Sequence, residues 1–335
     1  MARAPGLAPR PSVGRRRDRF ASSRATAFDL DLVVLPTSDG HRWDGMLYRP
    51  RHGDPGRHRL AVLVVHGSLG NYLTGIPRRL SFALAHAGFP VLAINTRMAN
   101  YGLVFGEGLL HRTPLDLDAG IDLLRRLGYD RIVLCGYSMG ATMVTNYQAT
   151  RELPDVAGVL TVAHPCSLPD SLRRRWERFG ASPGYDEVEE RARSALAPHF
   201  DAPDNDRIFV VQRGAGPSER PEHAEVWSYR TWWFSRGPEA SHAISALGVQ
   251  QLSVPLAIIQ AGDDQLVGPD DGPELARLAR GARCPSARLA VIAGASHAFD
   301  GHSNELTGLC EAWLSGLSES TWTDRDKDGG APRRS

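Results

Sequence analysis

A serine stands between two glycines in Gly136-Tyr137-Ser138-Met139-Gly140, which matches the pattern G-x-S-x-G. The apolar run Arg131–Cys135 before it predicts a strand, and the residues from Met139 onward predict a helix. A serine hydroxyl is a weak nucleophile, and it must project from a sharp turn before a base can reach it. Glycines on both sides permit such a turn, because they carry no side chain that would clash. This context predicts that Ser138 is a nucleophile, in preference to a fortuitous turn.

Two later segments carry the residue types that activate a serine. Asp263 and Asp264 follow the predicted strand Leu256–Gln260, and His297 follows the predicted strand Ala287–Ile292. The carboxyl ends of the strands in an open α/β sheet share one edge, and sites form there. We therefore expect the imidazole to act as general base and one of the two acids to orient it.

Each of these two roles has a second candidate. His302 is a rival base, but it lies further into a polar loop than His297 does. Asp263 and Asp264 leave the strand in different directions, so only one of them can reach the base. Counting forward from the strand favours Asp264, because Gly262 supplies the bend and Asp263 follows it at once. The other acid is expected to fix the loop by accepting backbone N–H bonds.

The segment His66-Gly67-Ser68-Leu69-Gly70 follows another apolar strand and is predicted to complete an oxyanion hole. Backbone amides hold the developing negative charge in such a site, so the glycines matter more than any side chain. The expected donors are the N–H of Met139 and that of Ser68 or Leu69. We interpret His66 as a packed structural residue, because the loop needs its backbone geometry and not its imidazole.

Strands and helices alternate from Phe28 onward, as in a mostly parallel sheet covered on both faces. The predicted helices include Ile76–Gly88, Pro114–Leu127 and Met139–Leu153. The predicted strands are Phe28–Leu35, Trp43–Tyr48, Leu60–Val65, Pro90–Asn95, Arg131–Cys135, Val156–Val162, Leu256–Gln260 and Ala287–Ile292.

The alternation breaks down after Val162 for about 90 residues, far more than a usual connection. We therefore predict a cap inserted at residues 165–252, an α/β core at 28–164 and 253–317, a disordered tail at 1–27 and a flexible tail at 318–335. Within the insertion the pattern predicts helices at Asp170–Phe179 and Tyr185–Leu196 and a strand at Ile208–Gln212, followed by a loop-rich aromatic stretch.

Four residues of that aromatic stretch are candidates for substrate binding, although packing of the cap explains them equally well. They are Trp227, Arg230, Trp232 and Trp233. A buried arginine beside aromatic rings can hold a substrate carboxylate. The alternative, which we favour, is that Arg230 pairs with an acid of the cap such as Glu222 or Glu225.

Composition excludes several classes of function. The 335 residues carry a formal charge of +1, which gives no field that would attract nucleic acid. The four cysteines show no metal-type spacing, so no metal site is expected and a reduced, cytoplasmic protein fits best. The first residues lack the apolar run of a signal peptide, and no stretch is apolar enough to span a membrane. The oligomeric state is left open.

Together these segments resemble the α/β-hydrolase superfamily over roughly residues 28–317. The resemblance is carried by His66-Gly67, Gly136-Tyr137-Ser138-Met139-Gly140, Asp264-Gln265-Leu266-Val267 and Ser296-His297. The resemblance implies a mostly parallel eight-stranded sheet with helices on both faces. In this superfamily the serine comes first in the chain, then the acid and then the histidine, and Ser138, Asp264 and His297 follow the same order. Family members place the acid three residues before an aliphatic residue, which identifies Asp264 through Val267. The core is similar to the dienelactone-hydrolase-like and serine-aminopeptidase-like branches.

The resemblance implies that a small-molecule acyl substrate, such as an ester or lactone, and less commonly a thioester or amide, is cleaved through an acyl-enzyme. No cofactor is required. A serine at the nucleophile position points away from haloalkane dehalogenases and epoxide hydrolases, which use aspartate there. Two alternatives stay open: an acyltransferase with the same triad, and a non-catalytic binding protein of the same fold.

Overall fold

A single eight-stranded sheet forms the centre of the molecule, in the order β1-β2-β4-β3-β5-β6-β9-β10. The structure is a computed structural model that describes residues 27–52, 57, 59–68, 70–101, 106–213 and 223–319. Strand β2 runs antiparallel to its neighbours β1 and β4. The other six strands of the sheet, β4, β3, β5, β6, β9 and β10, are parallel to one another. The sheet strands are β1 (Phe28–Pro36), β2 (Arg42–Pro50), β3 (Leu60–Val65), β4 (Val91–Ile94), β5 (Arg131–Tyr137), β6 (Val156–Val162), β9 (Leu256–Ala261) and β10 (Ala287–Ile292).

Helices cover both faces of this sheet, as predicted. Successive residues of a strand point to opposite faces, so Leu63 and Val64 of β3 belong to two different apolar clusters. Helices α2 (Thr113–Arg126), α3 (Met139–Arg151) and α8 (Asp271–Arg280) pack on the first cluster. Helices α1 (Gly75–His86) and α9 (Ser303–Glu319) pack on the second. The predicted fold class is therefore confirmed.

The segment between β6 and β9 holds further elements: α4 (Leu168–Phe179), α5 (Tyr185–Leu196), β7 (Ile208–Arg213), β8 (His223–Ser228), α6 (Tyr229–Arg236) and α7 (Ser245–Val249). Strands β7 and β8 form an antiparallel pair of their own. The expectation of a loop-rich aromatic stretch was wrong, because that stretch forms β8 and α6. Helix α6 begins at a cap that the sequence contains, since the Ser228 hydroxyl accepts the N–H of Thr231 at 3.1 Å.

Part of this segment has an apolar cluster separate from the two on the sheet. It joins α4 and α5 to the hairpin and α6, through residues that include Leu172, Trp176, Val188, Val211 and Trp232. Residues nearer to β9, among them Ala243 and Val249, belong instead to the first sheet cluster. The separate cluster thus covers less of the chain than the predicted cap at 165–252, whose boundaries stay a prediction.

Both predicted tails fall largely outside the described residues, since 1–26 and 320–335 are not described. Within the described part, no helix combines the length and the apolar character needed to cross a membrane. The four cysteines are all free thiols, three of them buried.

Candidate active site

Ser138 sits at the tight turn between β5 and α3, with φ 54° and ψ −120°. A residue other than glycine adopts such a backbone at a cost of about 1–3 kcal/mol, so the surroundings must hold it there. The two flanking glycines show how. A Cβ at Gly136 would lie 2.3 Å from the carbonyl oxygen of Gly140, and a Cβ at Gly140 would lie 2.5 Å from that of His66. The turn therefore closes only with glycine at both places.

Three side chains from separate strand ends meet at this turn. His297 Nε2 lies 3.1 Å from Ser138 Oγ, and His297 Nδ1 lies 2.8 Å from Asp264 Oδ2. The Asp264 side chain is 1% exposed and that of His297 is 13% exposed. The carboxylate accepts a hydrogen bond from Nδ1–H, so the unprotonated Nε2 faces the serine hydroxyl. This arrangement can take a proton from Ser138 and stabilise the imidazolium that results.

The two rival candidates lie elsewhere. Asp263 is exposed. The loop bonds expected of it are made by Asp264 instead, whose Oδ1 accepts the N–H groups of Leu266 and Val267 at 2.8 and 2.9 Å. His302 Nδ1 lies 3.6 Å from the carboxylate of Glu305, on the first turn of α9. Neither the second acid nor the second histidine thus takes part in the contacts at Ser138 described above.

The loop after β3 lies directly against the nucleophile. A Cβ at Gly67 would approach the Ser138 Cβ to 3.0 Å, so the loop backbone comes as close as a side-chain-free residue allows. Ser68 lies in this loop, and Met139 follows Ser138 directly. Their backbone N–H groups stay the predicted oxyanion donors. Leu69, the third predicted donor, lies outside the described residues.

His66 anchors that loop from inside the protein. Its Nε2 accepts the backbone N–H of Thr96 at 3.1 Å, and its Nδ1 lies 2.9 Å from the carbonyl oxygen of Gly67, so Nδ1 carries the proton. Complete burial lowers the pKa of His66 to about 4. The imidazole is therefore neutral and structural, and it ties the end of β3 to the end of β4.

Ser138 and His297 open into a cavity of about 130 Å³. One wall comes from the sheet edge and the loop after β9, with Tyr137, Leu266 and Val267. The opposite wall comes from the segment between β6 and β9 and consists of Pro165, Leu168, Ser171, Leu172, Arg175 and Arg236. That segment therefore forms half of the space in which a substrate would meet the serine.

None of the four aromatic-stretch candidates lines this cavity in the part of the chain that the structure describes. Trp227 and Trp232 are buried in the separate apolar cluster. Trp233 packs against Phe200, with ring centroids 4.9 Å apart, and faces a second cavity of about 450 Å³. The three tryptophans thus pack within the segment between β6 and β9, Trp233 also borders a different cavity, and a substrate-binding role for the four candidates stays a prediction.

Arg230 does not face the catalytic cavity either. It donates from Nη1 to the carbonyl oxygen of Gly106 at 3.1 Å and from Nη2 to Asp201 Oδ1 at 3.1 Å. Of the acids proposed as its partner, Glu225 pairs with Arg175, and Glu222 lies outside the described residues. The interpretation that Arg230 pairs with an acid of the predicted cap agrees with this contact, and the acid is Asp201.

No site role was predicted for most of the residues that line the cavity, among them Tyr137, Arg175 and Arg236. The Tyr137 hydroxyl donates to the backbone oxygen of His297 at 3.1 Å, which steadies the loop that carries the base. A signal for Arg175 was available, because it follows Leu168 and Leu172 at helical spacing and so lies on the apolar stripe of α4. Arg236 lies in the stretch that was interpreted as a loop, where no helical face was assigned.

A metal has no evident place here. Within the described ranges, no group of three or more histidine, cysteine, aspartate or glutamate side chains is arranged to hold an ion. The groups at the site are those of acid–base and nucleophilic chemistry.

The eight-stranded sheet, the strained serine turn and the Ser–His–Asp contacts define a protein of the α/β-hydrolase type. Residues 62–306 match the model of the alpha/beta hydrolase family, and the chain belongs to that family. This confirms the superfamily expected from the sequence. None of the curated proteins searched matches the chain.

Solved structures share the fold at low sequence identity. Est1E from Butyrivibrio proteoclasticus is 16% identical with a TM-score of 0.56, covering 85% of this chain and 98% of its own. The Pyrococcus furiosus esterase Pf2001 is 17% identical with a TM-score of 0.55, covering 88% and 90%. The alpha/beta hydrolase GrgF from Penicillium sp. sh18 is 15% identical with a TM-score of 0.61, covering 86% and 98%.

Proposed function

We propose that this protein is a serine hydrolase that cleaves carboxylic esters, including lactones, through an acyl-enzyme on Ser138. The observation that carries the proposal is the continuous line of contacts from Ser138 Oγ to His297 Nε2, and from His297 Nδ1 to Asp264, at 3.1 and 2.8 Å. One of these structural neighbours, Pf2001, is an esterase by name. This supports an ester as the substrate class.

The proposed reaction has two halves. His297 removes the Ser138 proton as Oγ attacks the carbonyl carbon, and the N–H groups of Met139 and Ser68 hold the tetrahedral oxyanion. The imidazolium then gives its proton to the departing alcohol, which leaves an acyl-enzyme. His297 next activates a water molecule, whose attack releases the acid and restores the serine. Asp264 keeps its hydrogen bond to Nδ1–H throughout and stabilises the imidazolium.

The size of the cavity supports a small acyl group. Its volume of about 130 Å³ is close to that of the roughly 150 Å³ cavity that holds one benzene molecule. We therefore expect acyl chains of a few carbon atoms to be cleaved faster than long ones. Apolar residues such as Leu168 and Leu172 make up part of its wall, which suits the carbon chain of such a group.

Labelling with a fluorophosphonate probe, combined with turnover of short 4-nitrophenyl esters, tests the proposal. The probe is expected to label the wild-type protein, and Ser138→Ala is expected to abolish both labelling and turnover. Ser171→Ala is the matched control, because Ser171 lines the same cavity but does not contact His297. A Ser138→Ala protein that still hydrolyses the best ester at the wild-type rate would show that the nucleophile is another residue.

A further inference from the structure

Two arginines face the cavity at Ser138, and both come from the segment between β6 and β9. Arg175 lies on α4 and Arg236 lies on α6. The Arg175 side chain is 14% exposed, and Arg236 is 5% exposed. Both guanidinium groups make hydrogen bonds within the protein, and both also line the cavity.

Arg236 reaches the groups next to the nucleophile. Its Nη2 donates to Ser68 Oγ at 2.6 Å and lies 3.4 Å from Met139 Sδ, while its Nη1 donates to the backbone oxygen of Ser235 at 2.9 Å. Ser68 and Met139 flank the space where the substrate carbonyl must lie. The guanidinium therefore stands beside the reacting end of the cavity.

Arg175 lines the same cavity. Its Nη2 is paired with Glu225 Oε1 at 2.7 Å, and Glu225 is held in turn by Trp227 Nε1 at 3.0 Å. Its Nε is buried and makes no hydrogen bond to any described residue. A buried N–H without a partner is destabilising, and a carboxylate bound against the Arg175 guanidinium would supply an acceptor.

The charged side chains among the described residues that line the cavity are both arginines. Twelve described residues line the cavity, and they include Arg175 and Arg236 but no aspartate or glutamate. Asp264 lies behind His297 and is already bound to it. Leu168, Leu172 and Val267 supply apolar surface around the two guanidinium groups, which reduces the screening of their charge by water.

We propose that Arg236 and Arg175 bind a carboxylate on the acyl part of the substrate, so that the protein selects esters of short dicarboxylic acids. This inference rests on the proposed ester hydrolysis at Ser138 and specifies its substrate. Guanidinium groups match carboxylates in geometry as well as charge, and the small cavity brings a ligand within it close to both walls. The carbonyl end meets Ser138, and the free carboxylate meets the arginines.

A structural role for Arg236 alone predicts a different result. If the arginine serves only to brace Ser68, its removal lowers the turnover of every ester by the same factor. If it also binds the substrate, the loss falls on substrates that carry the negative charge. The ratio of kcat/KM for charged and neutral substrates of the same shape therefore separates the two roles.

The experiment compares mono-4-nitrophenyl glutarate and adipate with the same 4-nitrophenyl esters in which a carboxamide replaces the free carboxylate. These control esters have the same shape without the charge. Spontaneous hydrolysis, including attack by the substrate's own carboxylate, is measured and subtracted. Wild type, Arg236→Met, Arg175→Met and Ser138→Ala are assayed together. Arg178→Met is the matched control, because Arg178 lies on the same helix as Arg175 and is exposed.

The wild-type protein is expected to prefer the charged ester by about tenfold or more, the scale of charge-assisted hydrogen bonds. Arg236→Met and Arg175→Met are expected to remove most of this preference, measured as the ratio of kcat/KM for the two substrates, and Arg178→Met to keep it. No preference in the wild type, or an equal loss on both substrates in the arginine variants, overturns the inference. Turnover that persists in Ser138→Ala instead refutes the proposed function itself.

Discussion

At Asp264 one carboxylate makes contacts of two kinds. Both of its oxygens lie within 3.0 Å of His297 Nδ1, and Oδ1 also accepts two backbone N–H groups of the loop that follows. The same group thus orients the imidazole and fixes the turn on which it stands. The negative charge is needed only to orient and stabilise the imidazole. The backbone hydrogen bonds of the loop do not need it, because an amide oxygen can accept them.

Asp264→Asn is therefore expected to leave the fold intact and lower kcat by several orders of magnitude, on the scale of about 10⁴-fold seen when a triad loses its orienting carboxylate. The neighbouring variant Asp263→Asn is expected to keep near-normal turnover, because Asp263 is exposed. Turnover and melting temperature of both proteins are measured. A well-folded Asp264→Asn enzyme with wild-type kcat would contradict the assignment.

Residues that belong to a short motif could be predicted from the sequence. Ser138 and His297 stand at strand ends where the backbone itself determines the position of the side chain, and the structure brings them together. The position of Arg236 could not be predicted, because its contact with Ser68 depends on how α6 packs over the edge of the sheet. No spacing along the chain reports a contact between residues 168 positions apart.

At the scale of elements, the packing of α3 against β3 determines the serine turn. Gly140, in the first turn of α3, leaves no room for a side chain, since an added Cβ would lie 2.5 Å from the carbonyl oxygens of both Val65 and His66. Both atoms belong to the backbone and cannot move aside cheaply. The helix and the strand must separate if that position carries a methyl group.

We expect Gly140→Ala to lower the free energy of unfolding by about 1–3 kcal/mol, the usual cost of overpacking, and to reduce turnover as well. Gly308→Ala is the control, because Gly308 lies inside α9, is exposed and has open space around its missing Cβ. There alanine should stabilise the protein by about 0.5–1 kcal/mol. Urea unfolding measures both variants; opposite signs are expected, and a destabilisation of equal size in both would contradict the packing argument.

Helical and strand periodicity predicted the elements of the sheet and failed on the aromatic stretch. Strands such as β3, buried at all six positions, are continuous apolar runs and are easily recognised. Helix α6 has two adjacent tryptophans and a buried arginine at each end of its sequence, so no polar face marks its period. Its stability comes from burial of those rings against α5, which local sequence does not encode.

At the scale of the whole molecule, the interior holds several neutral histidines. Burial lowers the pKa of His66 to about 4 and that of His164 to about 3. His164 is 1% exposed, and neither of its ring nitrogens has a hydrogen-bond partner among the described residues. In the unfolded chain the same groups titrate near the ordinary value of about 6.5.

Stability is therefore expected to fall as the pH drops below about 6.5, because the unfolded chain then binds protons that the folded protein excludes. Each such histidine contributes a slope of up to about 1.4 kcal/mol per pH unit, down to its lowered pKa. His164→Leu should flatten the pH dependence of the unfolding free energy between pH 6 and 4 by about one such slope. His199→Leu, at an exposed position, should leave it unchanged, and equal slopes in all three proteins would refute this account.

The segment that supplies Arg175 and Arg236 leaves the sheet after β6 and returns at β9, and these two strands are direct neighbours. Its ends are therefore one strand spacing apart, while Ser138 lies before it in the chain and Asp264 and His297 lie after it. One continuous stretch of the sequence thus supplies one wall of the cavity, and Ser138, Asp264 and His297 lie outside it. Exchange of that stretch between related proteins gives evolution, or an engineer, a means to change which molecules are accepted without touching the reactive groups.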